Sequence, residues 1–148
     1  MIRYFFIFLL LKSILFGCSL CSIYSPKTHV STSIKADKTH IKTLNVSWIF
    51  AGEFTKELLQ IYDTNLDASF NEKELQQIQI ALLDYLKAKN FLTFISYDKQ
   101  INQKSNPFEI KDYKISFKNK TLSFEYNIDL NYKIYDKNIL YIKIIDDE

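Results

Sequence analysis

The sequence predicts a single α+β domain: an N-terminal β-hairpin, an EF-hand-like helix–loop–helix, then an antiparallel β-meander. Three observations carry this reading. Apolar and polar residues alternate before residue 50 and again from residue 91 onward, the period of half-buried strands. Between those regions apolar residues recur at helical spacing. The two helical stretches are joined by a twelve-residue run, Asp63 to Glu74, with side-chain oxygens at its first, third, fifth, seventh, ninth and twelfth positions.

The bulk properties bound the rest. A chain of 148 residues, 47% of them hydrophobic, can bury one sizeable core but not two. With only two glycines and two prolines it is neither low-complexity nor repetitive. The formal net charge is +2, but Arg3 and Lys12 both lie in an acid-free segment over 1–21, so the remainder carries 17 lysines against 17 acids. A neutral chain without arginine lacks the clustered basic groups that neutralise phosphate and read bases, so a nucleic-acid partner is not expected.

Residues 1–21 read as a signal peptide, with 22–148 as the single mature domain. Met1-Ile2-Arg3 is a short positive start, Tyr4 to Phe16 is an apolar run, and small residues follow at Gly17, Ser19 and Ser22. The run is shorter than a membrane span and Lys12 interrupts it, which sets it against an uncleaved anchor. A lipoprotein is the alternative: Leu15-Phe16-Gly17-Cys18 has the outline of a lipobox, with Cys18 as the lipidated residue and Phe16 bulkier than that motif prefers. Cys18 and Cys21 also have C-x-x-C spacing. They either leave with the signal, or remain as a terminal disulfide, a two-thiol metal ligand or a redox pair. Periplasmic export follows from the first reading, and membrane attachment through Cys18 from the second.

In the mature region His29 to Ile34 alternates, with Val30, Thr32 and Ile34 on one face. After a polar turn at Ala36 to Thr39, Ile41 to Phe50 places Leu44, Val46, Trp48 and Phe50 on one face, so the two strands form a hairpin. Glu53 to Tyr62 carries Phe54, Leu58, Ile61 and Tyr62 at helical spacing. Asn71 to Glu74 has the capping-box form, and the helix it opens carries Leu75, Ile78, Leu82, Tyr85 and Leu86 before ending near Lys87 to Asn90. Strands are expected over Phe91 to Tyr97, at a short edge over Ile101 to Gln103, from Ile110 to Phe117, from Leu122 to Leu130 and from Ile139 to Ile145. Short turns between them imply antiparallel neighbours in chain order.

The loop carries the chemistry. Ca²⁺ is a hard cation that takes six to eight oxygens at about 2.3–2.6 Å. Asp63, Asn65 and Asp67 would supply side-chain ligands, Ser69 its backbone carbonyl and Asn71 a contact through water, while Glu74 clamps from the exiting helix. Phe70 points inward between ligands, and Leu59, Tyr62, Leu75 and Ile78 supply the apolar flanks. Ala68 stands where such a loop needs glycine for positive φ. That departure, a formal ligand charge of only minus three and the lack of a second loop favour a structural ion over a sensor. His29 and His40, placed across the hairpin, form a second candidate metal pair, or are plain surface residues. No Ser/His/Asp order, catalytic carboxylate pair or phosphate loop is present, so no enzymatic activity and no small-molecule substrate are indicated.

Thr28-His29-Val30, then Val46-Ser47-Trp48-Ile49-Phe50 with Glu53-Phe54, then Asp63 to Glu74, together resemble a bacterial family of unknown function. Its members are described as the periplasmic component of an uncharacterised ABC-type transport system. The resemblance covers roughly the mature chain. It implies an accessory of metal transport, linked with nickel- or cobalt-type permeases as partners. Two departures stand out: the family's first histidine is replaced around Lys27, and members continue past the point where this chain ends, which implies a shortened copy.

Overall fold

In the computed structural model the chain is described over residues 28–146, so the signal-peptide reading and those made for Cys18, Cys21 and Lys27 lie outside the described residues. The architecture is α+β, built from six strands and two α-helices in this range. β1 (Thr28–Ala36) and β2 (His40–Phe50) form the expected hairpin, antiparallel with Val30 opposite Trp48 and Ile34 opposite Leu44. Asp37 sets its turn: Oδ1 accepts from the N–H groups of Thr39 (2.7 Å) and His40 (2.8 Å).

Two helices follow, α1 (Gly52–Tyr62) and α2 (Glu72–Ala88). α1 buries Phe54 and Leu58; α2 buries Ile78, Leu82, Leu83 and Leu86. Tyr85, expected on the buried stripe of α2, faces outward and donates its hydroxyl to Asp146 Oδ2 at 2.6 Å.

Beyond α2 the order of pairing departs from a meander. The strands are β3 (Thr93–Asp98), β4 (Glu109–Lys118), β5 (Thr121–Lys133) and β6 (Ile139–Ile144). They divide between a four-stranded sheet, β1-β2-β5-β4, and a two-stranded ribbon, β3-β6. Burial explains the division. β5 has five buried apolar residues in strict alternation, Leu122, Phe124, Tyr126, Ile128 and Leu130, so it takes a central place beside β2. The outer edge of β3, which a meander would give to β4, is taken by the connecting loop. Ile95 N–H donates to Ser105 Oγ (3.0 Å), Asn106 N–H to Ile95 O (2.7 Å) and Asn102 N–H to Ser96 Oγ (2.9 Å). The edge strand expected over Ile101 to Gln103 is part of this loop.

Phe91 and Leu92, expected to open a strand, instead form a left-handed turn with Asn90, at φ 49, 54 and 53 for Asn90, Phe91 and Leu92. Thr93 Oγ1 donates to the Phe91 carbonyl at 2.7 Å and holds it. The turn drives Phe91 into the core, with its ring 5.3 Å from that of Tyr126. The core lies between the helices and the inward rows of β2 and β5. The opposite sheet face is polar, with Asn45 hydrogen-bonded to Asn127 and Ser116 to Ser123.

Candidate metal centre

The loop between α1 and α2 is wound around its own side chains. Asp63 closes α1, and its carboxylate accepts two backbone N–H groups from further along: Asp67 at Oδ1 (3.1 Å) and Ala68 at Oδ2 (2.8 Å). Asn65 Oδ1 also accepts from Asp67 N–H at 3.4 Å, and its amide donates to Asp67 Oδ2 at 2.8 Å. Asp67 Oδ1 accepts from Ser69 N–H at 2.8 Å. The winding is possible because Leu66 and Ala68 both take φ 59. The sequence places a positive-φ demand at Ala68, and the structure has it there. Leu66, 87% exposed, meets the same demand with a side chain even less suited to it.

Glu74 is the second half of the site and differs from its neighbours. It is only 2% exposed, and both oxygens of its carboxylate accept from protein donors. Oε1 accepts both the N–H and the hydroxyl of Thr64, each at 2.8 Å; Oε2 accepts Asn71 N–H at 3.0 Å. Asn71 Oδ1 in turn accepts Glu74 N–H at 3.1 Å, completing the capping box of α2. Hydrogen bonds from Asn71 N–H first and the Thr64 hydroxyl second hold the Glu74 carboxyl below the ordinary glutamate range. Glu74 therefore latches the start of the loop to the start of α2. Thr64, the second residue of the loop, is the partner that ligand spacing alone does not single out; a hydroxyl next to the leading aspartate was the available signal.

The six residues read as ligands thus fall into two groups. Asp63, Asn65 and Asp67 cluster on the exposed side with lone pairs to spare, since an ionised carboxylate offers about four acceptor sites. Asn71 and Glu74 are turned into the helix cap, and Ser69 follows with its backbone at the end of the loop. Among the described residues no three His, Cys, Asp or Glu side chains converge as a ready cage, so bidentate clamping by Glu74 requires it to exchange Thr64 and Asn71 for the ion. The donor set, all oxygen without thiol or imidazole, has the chemistry that a hard cation selects. Phe70 anchors the loop to the core, its ring edge-on to Phe117 at 5.0 Å.

The histidines do not come together. His29 lies opposite Ile49 and His40 opposite Lys133, at opposite ends of the eleven-residue β2, about 30 Å apart at ~3.3 Å per residue. They share no metal site because strand registry, not distance along the chain, decides which residues meet across a hairpin. His40 Nδ1 instead bonds to Thr39 Oγ1 at 2.8 Å.

An α+β domain with a polar, self-wound loop between its helices is the class that fold and site define. The chain belongs to the family described as "Protein of unknown function (DUF1007)", whose family model matches residues 28–148. No curated protein and no solved structure matches the chain.

Proposed function

We propose that this chain is an exported, non-enzymatic domain that binds Ca²⁺ through the 63–74 loop and serves as a periplasmic accessory of a metal-ion transport system. The observation that carries the calcium half is the loop's backbone: φ 59 at Leu66 and Ala68, with the Asp63 carboxylate closed over two loop N–H groups. Positive φ also occurs at Asn90 to Leu92 and in other turns, so it is this backbone together with the clustered Asp63, Asn65 and Asp67 oxygens that favours an ion. Asp63, Asn65 and Asp67 would hold the ion together with the Ser69 carbonyl and a water on Asn71, and Glu74 would complete the shell. The ion supplies positive charge that joins the ends of two helices; the domain needs no chemistry from it. The transport half is supported by the signal-like N-terminus and by the resemblance carried by Trp48 and the loop. No helix among the described residues is long and apolar enough to cross a membrane.

Ca²⁺ titration followed by thermal unfolding tests the first half. At tenfold excess over Kd a ligand specific to the folded state adds about 1.4 kcal/mol, a rise of several degrees. Glu74→Gln should abolish the rise. A wild-type midpoint unmoved by millimolar Ca²⁺ overturns the calcium reading. For the second half, a metal permease encoded beside this chain and impaired metal uptake on its deletion are expected; normal uptake removes the transport role. Mass spectrometry of the N-terminus of the exported protein distinguishes cleavage from acylation at Cys18, the mark of an envelope lipoprotein.

A further inference from the structure

The two edges of the four-stranded sheet are built differently. β4 carries Glu109, Lys111, Asp112, Lys114 and Lys118, with a register shift between Lys111 and Lys114 and Asp112 at φ 52. Charges, a bulge and a distorted backbone are the devices that keep an edge from pairing. β1 is plainer: nine residues without proline or acid, with one lysine, Lys35, and one register shift, both at its C-terminal end. All of its residues after Thr28 are exposed, and its only strand neighbour among the described residues is β2. Val30 (37% exposed) and Ile34 (50%) share a face with the buried Trp48 and Leu44 opposite them, but lie outside the cover of the helices.

The sequence of this edge has a symmetry. Val30-Ser31-Thr32-Ser33-Ile34 is chemically the same in either direction about Thr32. We propose that β1 is a dimerisation edge, pairing antiparallel with β1 of a second copy about a two-fold axis at Thr32. In that register Thr32 meets Thr32 of the second copy, Ser31 meets Ser33, and Val30 meets Ile34. Cross-strand hydroxyl pairs and apolar pairs of this kind favour association; His29 meets Lys35 and Thr28 meets Ala36 at the ends, and the same patch serves both copies, as an isologous interface requires. A one-residue slip would set Val30 against Ser33 or Lys35, and Ile34 against His29 or Ser31, all residues of the other face, so the pattern selects the register. The charged β4 edge offers β1 no such match. Both copies' sheets join into one continuous sheet. Nine residues a side fall well below the roughly 20–30 of a standard interface, so the dimer is weak and concentration-dependent.

Sedimentation equilibrium of the purified chain at roughly 10–500 µM, the range expected of so small an interface, tests this. The wild type should dimerise reversibly. V30K/I34K sets like charges opposite each other twice and should weaken the dimer by at least about tenfold. V30E/I34K sets a carboxylate at 30 against an ammonium at 34 and should restore it, which only this register allows. The unfolding midpoint of each variant reports whether the monomer is intact. If V30K/I34K does not fold, Thr32→Lys, which meets its own copy at the axis, takes its place. A wild type that remains monomeric throughout, whether bare or with β1 covered by residues 1–27, overturns the proposal, as does a dimer that survives the repulsive substitutions.

Discussion

Replacing Ala68 by glycine should stabilise this protein, although the same exchange in a helix does the reverse. Ala68 sits at φ 59, and its N–H donates to Asp63 Oδ2, so the conformation is built into the loop. The left-handed region costs a non-glycine residue roughly 1–2 kcal/mol. Glycine removes that cost but adds about 0.4–1 kcal/mol of freedom to the unfolded chain. The net gain is about 0.5–1 kcal/mol, a rise in Tm of about 2–6 °C for a domain of this size. Ala81→Gly, inside α2, is the matched control: it should lower stability by about 1 kcal/mol, because no strain is relieved there. Both are read from thermal and denaturant unfolding of the same preparation. If Ala68→Gly lowers Tm as Ala81→Gly does, the loop does not hold positive φ at this position and the argument for its winding fails.

Three further outcomes follow from the same region. Asn71→Ala should cost about 1 kcal/mol by leaving the Glu74 N–H without its cap, and Asn71→Gly only a few tenths, measured by denaturant midpoints. Phe70→Ala should cost about 3–5 kcal/mol, and a double-mutant cycle with Phe117→Ala should show coupling, because the two rings pack edge to face. Thr64→Val should make the protein more sensitive to acid. The Glu74 pKa is depressed in the folded state, so its contribution is fully present above about pH 4.3 and is lost as pH falls through the folded value. Losing the Thr64 hydroxyl raises that folded value, so acid unfolding should begin at higher pH; an unchanged acid midpoint would refute the latch.

Elements with strong period were legible from sequence, and so was the strain at Ala68. The stripe Leu44, Val46, Trp48, Phe50 can only be one face of a strand, and Asn71 with Glu74 announces the start of α2. Pairing order was not legible, because alternation says which face is buried but not which neighbour lies alongside. The hydroxyls and amides over 102–106 that occupy the β3 edge look in sequence like any polar linker. The turn at Asn90 to Leu92 was hidden because three consecutive left-handed residues carry no glycine to mark them. In the loop, spacing named the oxygens but not their orientation. Glu74 reads equally as a metal ligand or as the third residue of a capping box, and only the fold shows it engaged in the second role.

The placing of β5 between β2 and β4 has a consequence for how the chain reaches its native state. Trp48 pairs with Phe124, and Thr93 with Ile144, so the inner strand of the N-terminal hairpin and the strand after α2 both wait for partners from the final third of the chain. Until those residues are available, the apolar row of β2 has no sheet to complete and the core has only one wall. Such long-range closure slows folding and exposes sticky intermediates. A chain emerging N-terminus first therefore gains its central sheet pairing only once Thr121–Lys133 is out. A nascent copy lacking β5 and β6 would remain pliable, and one holding both strands would close cooperatively.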